Sequence, residues 1–333
     1  MLKQSSLLAL RGKKNLLAFS AGVDSSALFF ILLENSIAFD IAIVDYGVRQ
    51  QSKKEVAYAK ELASTHNLKC HLLTAKVTKK NFESQARDIR YNFFEDLSTT
   101  HFYDNLLTAH HLGDRFEWML MQFCKGAGCA EIAGMNEIQI RENYSLIRPL
   151  LHLDKQELLS YLKENSLKYF EDESNLDEEI KRNEFRHKYA VPLLKKHLSG
   201  IKKSFEYIDA DVSSLLEDVD IKTIGSFAYF SSCKKTRADI YTIDKYLKSQ
   251  NYMLSANERG TLTTQKTTIV GRKFIVNQTG EFIFIIPYTQ DNSVLKKEFK
   301  DLCRRLQVEP KLRQYLAQDS EAFTLVKSLL SGV

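Results

Sequence analysis

Four short apolar runs punctuate the first third of the chain: NLLAF (15–19), DIAIVDY (40–46), KCHLLTAKV (69–77) and NLLTAHH (105–111). Helical patterns fill the intervals at 25–34, 53–65 and 84–97. Strands separated by helix-length segments predict βαβ units and therefore a parallel sheet with helices on both faces. From 154 to 203 the pattern is mainly helical, with Asp154 as the expected N-cap. The texture then changes. Helices are expected near 204–217 and 239–250, antiparallel strands over 267–288 around Gly271 and Gly280, and a further helix over 293–306. The reading is an α/β domain at 1–200, with a helical extension from about 152, and a smaller α+β domain at 201–333.

With 333 residues and 44% apolar content, the chain has material for two cores. Its longest uninterrupted apolar stretches, 27–33 and 282–286, fall far below the ~18 residues a membrane span needs. No membrane partner is expected. Arg11, Lys13 and Lys14 interrupt the brief LLAL run near the N-terminus, so no signal peptide is read and a cytoplasmic location is expected. Five cysteines, with no Cys-x-x-Cys pair, indicate neither a disulfide framework nor a zinc site of familiar spacing. The net charge of +5 is modest, but residues 180–203 and 296–313 each carry at least seven Lys or Arg with Phe or Tyr interleaved. That is the composition of a surface that follows a phosphate backbone, and equally of a solvated helix face.

The stretch AFSAGVDSSAL (18–28) stands where the first strand turns into a helix. A helix beginning there exposes unpaired N–H groups at the positive end of its dipole, a place where phosphate oxygens fit. Gly22 permits close backbone approach, and Ser20, Ser25 and Ser26 add hydroxyl donors. Asp24 is the odd member, because a carboxylate repels phosphate unless a cation lies between; Mg²⁺ is the expected one. No Walker A pattern occurs, and GAGCAE (126–131) fails the dinucleotide fingerprint.

SAGVDS resembles the S-G-G-x-D-S loop of the N-type ATP pyrophosphatases, the PP-loop superfamily. VDYGVR (44–49), ARDIRY (86–91), TAHHLGDRFE (108–117), KGAGCAEIAGM (125–135), RPLL (148–151) and EDESN with KRNEFR (171–186) are similar, in order and spacing, to the tRNA(Ile)-lysidine synthetase branch of that superfamily over roughly residues 14–195. The remainder agrees more loosely, through LSANERGTL (254–262) and the hairpin after it. The resemblance implies a ligase that activates C2 of the wobble cytidine of a CAU-anticodon tRNA(Ile) by adenylating its carbonyl oxygen with ATP, releasing pyrophosphate, and then joins free lysine at C2, releasing AMP. Ser20, Ala21, Gly22, Val23, Asp24 and Ser25 would hold the nucleotide, with Asp24 and Asp114 on Mg²⁺.

Arg87 and Arg90, three apart on one helical face, would reach the α-phosphate or the base. Asp114 and Glu117, also three apart, would bind the lysine ammonium or accept its proton. Arg182 and Arg186, four apart, would hold tRNA phosphates or the adenylate, following a cap built by Asp172, Ser174 and Asn175. His110 and His111 are read as structural or nucleotide-adjacent, and the glycines of 126–134 as a loop near the site. Three residues depart from the family pattern: Ala21 for a glycine, Gly113 for the first of two adjacent aspartates, and Trp118 for a threonine. Two other functions stay open at this level. A PP-loop tRNA thiolase would need cysteines to carry sulfur, and a decayed tRNA-binding protein would lack ATP–pyrophosphate exchange. The sequence also leaves room for a homodimer.

Overall fold

Strands buried on both faces have no reason to alternate polar and apolar residues, and the first strand shows this: Leu16 and Leu17 point to opposite faces and neither is exposed. The computed structural model describes residues 1–47, 50–77, 82–171, 181–215, 219–289 and 293–331. The chain divides into two compact units, 1–209 and 210–333.

In the first unit, α1 (Gln4–Leu10) precedes β1 (Asn15–Ala18), α2 (Val23–Glu34), β2 (Phe39–Asp45), α3 (Gln50–Thr65), β3 (Cys70–Thr74), α4 (Phe82–His101) and β4 (Asn105–Leu107). Then come α5 (Leu112–Phe123), α6 (Cys129–Ala133), β5 (Ile138–Ile140), β6 (Ser145–Ile147), α7 (Lys155–Glu164), α8 (Lys181–Phe185), a π-helical turn (Arg186–Ala190) and α9 (Val191–Leu215), whose last residues, from 210 on, belong to the second unit. The strand order is β3-β2-β1-β4-β6-β5, parallel except for β5, which runs antiparallel to β6. Because β1 pairs with β2 on one side and with β4 on the other, the order reverses at β1. Open parallel sheets bind ligands at such a switch point, beyond the carboxyl ends of their strands. The β1–α2 and β4–α5 connections therefore emerge side by side.

One face of the sheet packs Leu17, Ile41 and Ile43 against α2 and α3 through Phe29, Ile31, Tyr58 and Leu62. The other face packs Leu16, Leu106 and Leu146 against Phe94 and Leu97 of α4. Asp154 caps α7 as expected, its carboxylate accepting from the Gln156 N–H while its own N–H donates to Glu157. The 154–203 stretch is less uniformly helical than its composition suggests: α7 ends at Glu164, and α9 bends at His197, whose φ of −133° is non-helical.

The second unit contains β7 (Lys222–Ile224), β8 (Phe227–Ser231), α10 (Thr236–Ser249), α11 (Ala256–Thr264), β9 (Thr267–Val270), β10 (Phe274–Gln278), β11 (Phe282–Pro287), α12 (Lys297–Arg305), α13 (Pro310–Gln318) and α14 (Ser320–Ser331). Its sheet is antiparallel, in the order β7-β8-β11-β10-β9. Gly271 and Gly280 take positive φ at the two turns, as their spacing predicts. Along β11, Phe284 and Ile286 join Leu312 and Val326 on one face, while Ile283 and Ile285 join Ile243 and Leu247 on the other. Helices thus cover both faces, which is why FIFII reads as one apolar run. No helix among the described residues is long and apolar enough to cross a membrane.

Candidate active site

The bend between β1 and α2 is held by its own hydroxyls. The Ser20 N–H donates to Ser25 Oγ at 3.2 Å, and Ser25 Oγ donates to the Gly22 carbonyl at 3.2 Å. Gly22 caps α2 without a side-chain bond, so the N–H groups of that first turn have no side-chain cap. Ala21 has φ +59°, the left-handed region, and is fully buried. For a residue with a Cβ this conformation costs about 1–2 kcal/mol. The departure from glycine at this position is therefore a stored backbone cost, offset by the Phe170 N–H donating to the Ala21 carbonyl at 2.9 Å.

Asp24, in the first turn of α2, has an Oδ1 that is buried without a hydrogen-bond partner among the described residues. Burial is the main reason its pKa stands above the ordinary carboxylate value, against the lowering influence of His111, Lys155 and Arg186. Its Oδ2 lies 3.8 Å from His111 Nε2. That ring is the bridge to the neighbouring connection, because the same Nε2 lies 3.6 Å from Asp114 Oδ2.

His111 caps α5 in a manner that fixes its tautomer. Its Nδ1 accepts from the Gly113 N–H at 3.0 Å, so that nitrogen carries a lone pair and the proton resides on Nε2, facing both carboxylates. Room for this comes from Gly113: a Cβ there would stand 2.6 Å from His111 Cε1 and 2.9 Å from Nδ1. Glycine at 113 thus permits the histidine cap, a role that the sequence alone did not reveal. Trp118 has a comparable explanation. Its ring edge lies where a Gly134 Cβ would be, at 2.6 Å, and its Nε1 donates to the Glu131 carbonyl. The glycine-rich segment expected as a loop contains the short helix α6, bounded by Gly128 and Gly134.

The two pairs predicted separately from sequence meet each other. Arg182 Nη2 donates to Asp114 Oδ1 at 2.7 Å and its Nε to Glu117 Oε2 at 3.2 Å. Arg186 Nε donates to Glu117 Oε1 at 2.6 Å, with its Nη2 3.2 Å from Glu117 Oε2 and 3.5 Å from Asp114 Oδ1. Asp114 and Glu117 are buried, and two buried carboxylates this close need such cations. Burial opposes ionisation of Asp114, yet His111 and Arg182 together hold its pKa well below the carboxylate range. The π-helical turn carries Arg186 at its start; the cap expected from Asp172, Ser174 and Asn175 lies outside the described residues.

This changes the reading of the metal ligands. Asp114 Oδ2 accepts the His111 backbone N–H at 3.0 Å and Oδ1 the Arg182 guanidinium, so in this arrangement a Mg²⁺ on Asp114 would have to take the place of that guanidinium. Asp24, with one orphaned buried oxygen, fits: Mg²⁺ is commonly held by one or two carboxylates together with substrate phosphates. Arg87 and Arg90, expected to act together, have different neighbours. Arg87 stacks 4.8 Å from the Tyr91 ring centre and contributes to the field at His110, whereas Arg90 lies beside the Tyr46 phenol.

His110 is held neutral. Burial is the main cause, Asp114 opposes it, and Arg148, Arg182 and Arg87 add to it; the pKa falls to about 4. The ordinary value near 6.5 belongs to the unfolded chain, which therefore takes up the proton first as pH falls. Stability from this residue is fully present above about pH 6.5 and is lost towards pH 4, at a limiting slope of about 1.4 kcal/mol per pH unit. Denaturant melts at pH 7.5 and pH 5 are expected to show that loss, and His110→Asn to flatten it. An unchanged pH dependence in the variant would assign the effect elsewhere.

Comparison with known proteins adds a family model described as a PP-loop domain, which matches residues 2–193. Proteins named tRNA(Ile)-lysidine synthase are similar over nearly the whole chain. That of Wolinella succinogenes is 41% identical, covering 92% of this chain and 93% of its own. That of Helicobacter pylori J99 is 38% identical over 92% and 90%, and that of Campylobacter jejuni RM1221 is 39% identical over 95% and 96%. Among solved structures, a U34-tRNA thiolase from Methanococcus maripaludis with its [4Fe-4S] cluster matches with a TM-score of 0.54 and 18% identity, covering 65% of this chain and 76% of its own; that likeness speaks for the fold alone.

Proposed function

Since the chain belongs to the PP-loop family and, within it, to the tRNA(Ile)-lysidine synthases, we propose that it joins free lysine to C2 of the wobble cytidine of a CAU-anticodon tRNA(Ile) by way of an adenylated cytidine. The observation that carries this reading is the juxtaposition of the nucleotide loop and the acidic pair: Asp24 Oδ2 and Asp114 Oδ2 lie 3.8 and 3.6 Å from the same His111 Nε2. A two-step ligation needs its triphosphate and its amine within one site.

ATP is the energy source that the PP-loop assignment supplies. In the first step the cytidine O2 attacks the α-phosphorus, an O–P bond forms, and the bond to pyrophosphate breaks. No protein nucleophile is required, so the task is to position the phosphates and balance their charge. The uncapped first turn of α2 and the Ser20 hydroxyl would take the pyrophosphate. Mg²⁺, which Asp24 would hold, neutralises phosphate charge when bound. In the second step the lysine amine attacks C2 and AMP leaves. Asp114 and Glu117 would receive the ammonium by exchanging it for a guanidinium of Arg182 or Arg186, one cation for another. The amine must then lose a proton, and Asp114, whose pKa is depressed, is a weak acceptor for it.

The relatives at 38–41% identity outweigh the fold likeness to a thiolase. In the second unit, Lys296, Lys297, Arg304 and Arg305 are exposed around α12 while Cys303 faces the core, a suitable face for tRNA phosphates. Incubating the protein with ATP, radiolabelled lysine and unmodified CAU-anticodon tRNA(Ile) is expected to place label in the RNA, dependent on ATP. Absence of label, or sulfur incorporation in its stead, would defeat the proposal.

A further inference from the structure

Beside His110 lies a group of arginines that the ligation just described does not use. Arg148 follows β6 at the carboxyl edge of the sheet and is only 7% exposed. Its Nη1 donates to the Asn136 carbonyl and its Nη2 to Gln139 Oε1, but its Nε is buried with no partner among the described residues. Arg141, in the β5–β6 turn, is half-buried, with its guanidinium 5.2 Å from the Tyr91 ring centre and its Nη1 donating to the Tyr144 hydroxyl at 3.0 Å. Arg87 approaches the same Tyr91 ring from α4 at 4.8 Å.

None of the three forms an ion pair among the described residues; Glu95 contributes to the field at Tyr144 but makes no ion pair with Arg141. Burial, with repulsion from Arg141 and Arg87, pulls the Arg148 pKa below its usual value, against the influence of Tyr91. Three like charges around one tyrosine, one of them buried and incompletely bonded, repel each other until an anion arrives. Arginine forks and aromatic edges together suit a single-stranded phosphodiester with an unstacked base.

From this geometry we infer that Arg87, Arg141 and Arg148 around Tyr91 form a phosphate-binding site separate from the nucleotide loop, which takes a backbone phosphate of the RNA beside the reacting base. The inference rests on the RNA-modifying reading above. It adds Arg141 and Arg148, residues with no role in that chemistry.

The test uses the full chain, an unmodified anticodon stem-loop oligoribonucleotide, and ATP, with Arg141→Gln and, as a buried counterpart, Arg148→Met. Arg141→Gln is expected to weaken RNA binding several-fold and to reduce the slope of log affinity against log salt by about 0.7–0.9, one phosphate's worth. ATP affinity should be unchanged. Were ATP and AMP affinity to fall while the RNA slope held, the anion would be the nucleotide's phosphate and the site would stand with that source. Unchanged affinity for both would overturn it. Binding is read without turnover, so loss of lysine incorporation in the parent would defeat the ligation reading and leave this result separately legible.

Discussion

Replacing Asp24 by asparagine is expected to cut ATP–pyrophosphate exchange by roughly 10²- to 10³-fold, the scale on which removal of one preorganised charge-stabilising group acts, while leaving the fold intact or slightly more stable. Both halves follow from one observation. The carboxylate has a buried oxygen with no hydrogen-bond partner, and burial raises its pKa. A group whose folded pKa lies above its unfolded value is disfavoured as an anion by folding, so at neutral pH it lowers stability. Asparagine keeps the shape and discards the charge. Exchange assays and thermal melts on the same preparation check this. If activity and melting temperature fell together, Asp24 would be a structural residue and the case for a cation held there would fail.

The second large effect concerns stability. Glu117→Ala is expected to lower unfolding free energy by about 3–5 kcal/mol, because it leaves the partly buried Arg186 guanidinium without its principal anion. Replacing both partners with apolar residues, Glu117→Leu with Arg186→Met, should recover most of the loss, since buried ion pairs are commonly near break-even against well-packed hydrophobic residues. Denaturant titrations of Glu117→Leu, Arg186→Met and the variant carrying both form a double-mutant cycle. Additive losses would mean that the two side chains do not depend on each other, contrary to their 2.6 Å contact. The double variant is expected to be folded and unable to form lysidine.

Much of the first unit was legible because parallel βαβ units have a strong signature: uniformly apolar runs such as NLLA between helical stretches leave few alternatives. Strands β5, β6 and β7 escaped notice, having only three residues each, too short for a period to register; β8, of five residues, was missed as well. The site was legible as a set of residue types but not as a set of pairs. Nothing in the spacing of Asp114 and Glu117 says that Arg182 and Arg186, some 65 to 72 positions on, will neutralise them. Arg148 carried a weak signal, as a lone arginine inside the apolar run LIRPLL, whereas Arg141 in a polar turn carried none. Gly113 was visible as a departure, but its reason needed the position of a ring two residues away.

That last contact ties two positions together. With the imidazole of His111 seated over Gly113, an aspartate cannot simply be placed at 113, since its first side-chain atom would meet the ring at 2.6 Å. Position 111 would have to move first, giving up its grip on the start of α5 before the new carboxylate could be of any use. The two positions are thus epistatic: what any side chain at 113 does depends on what stands at 111.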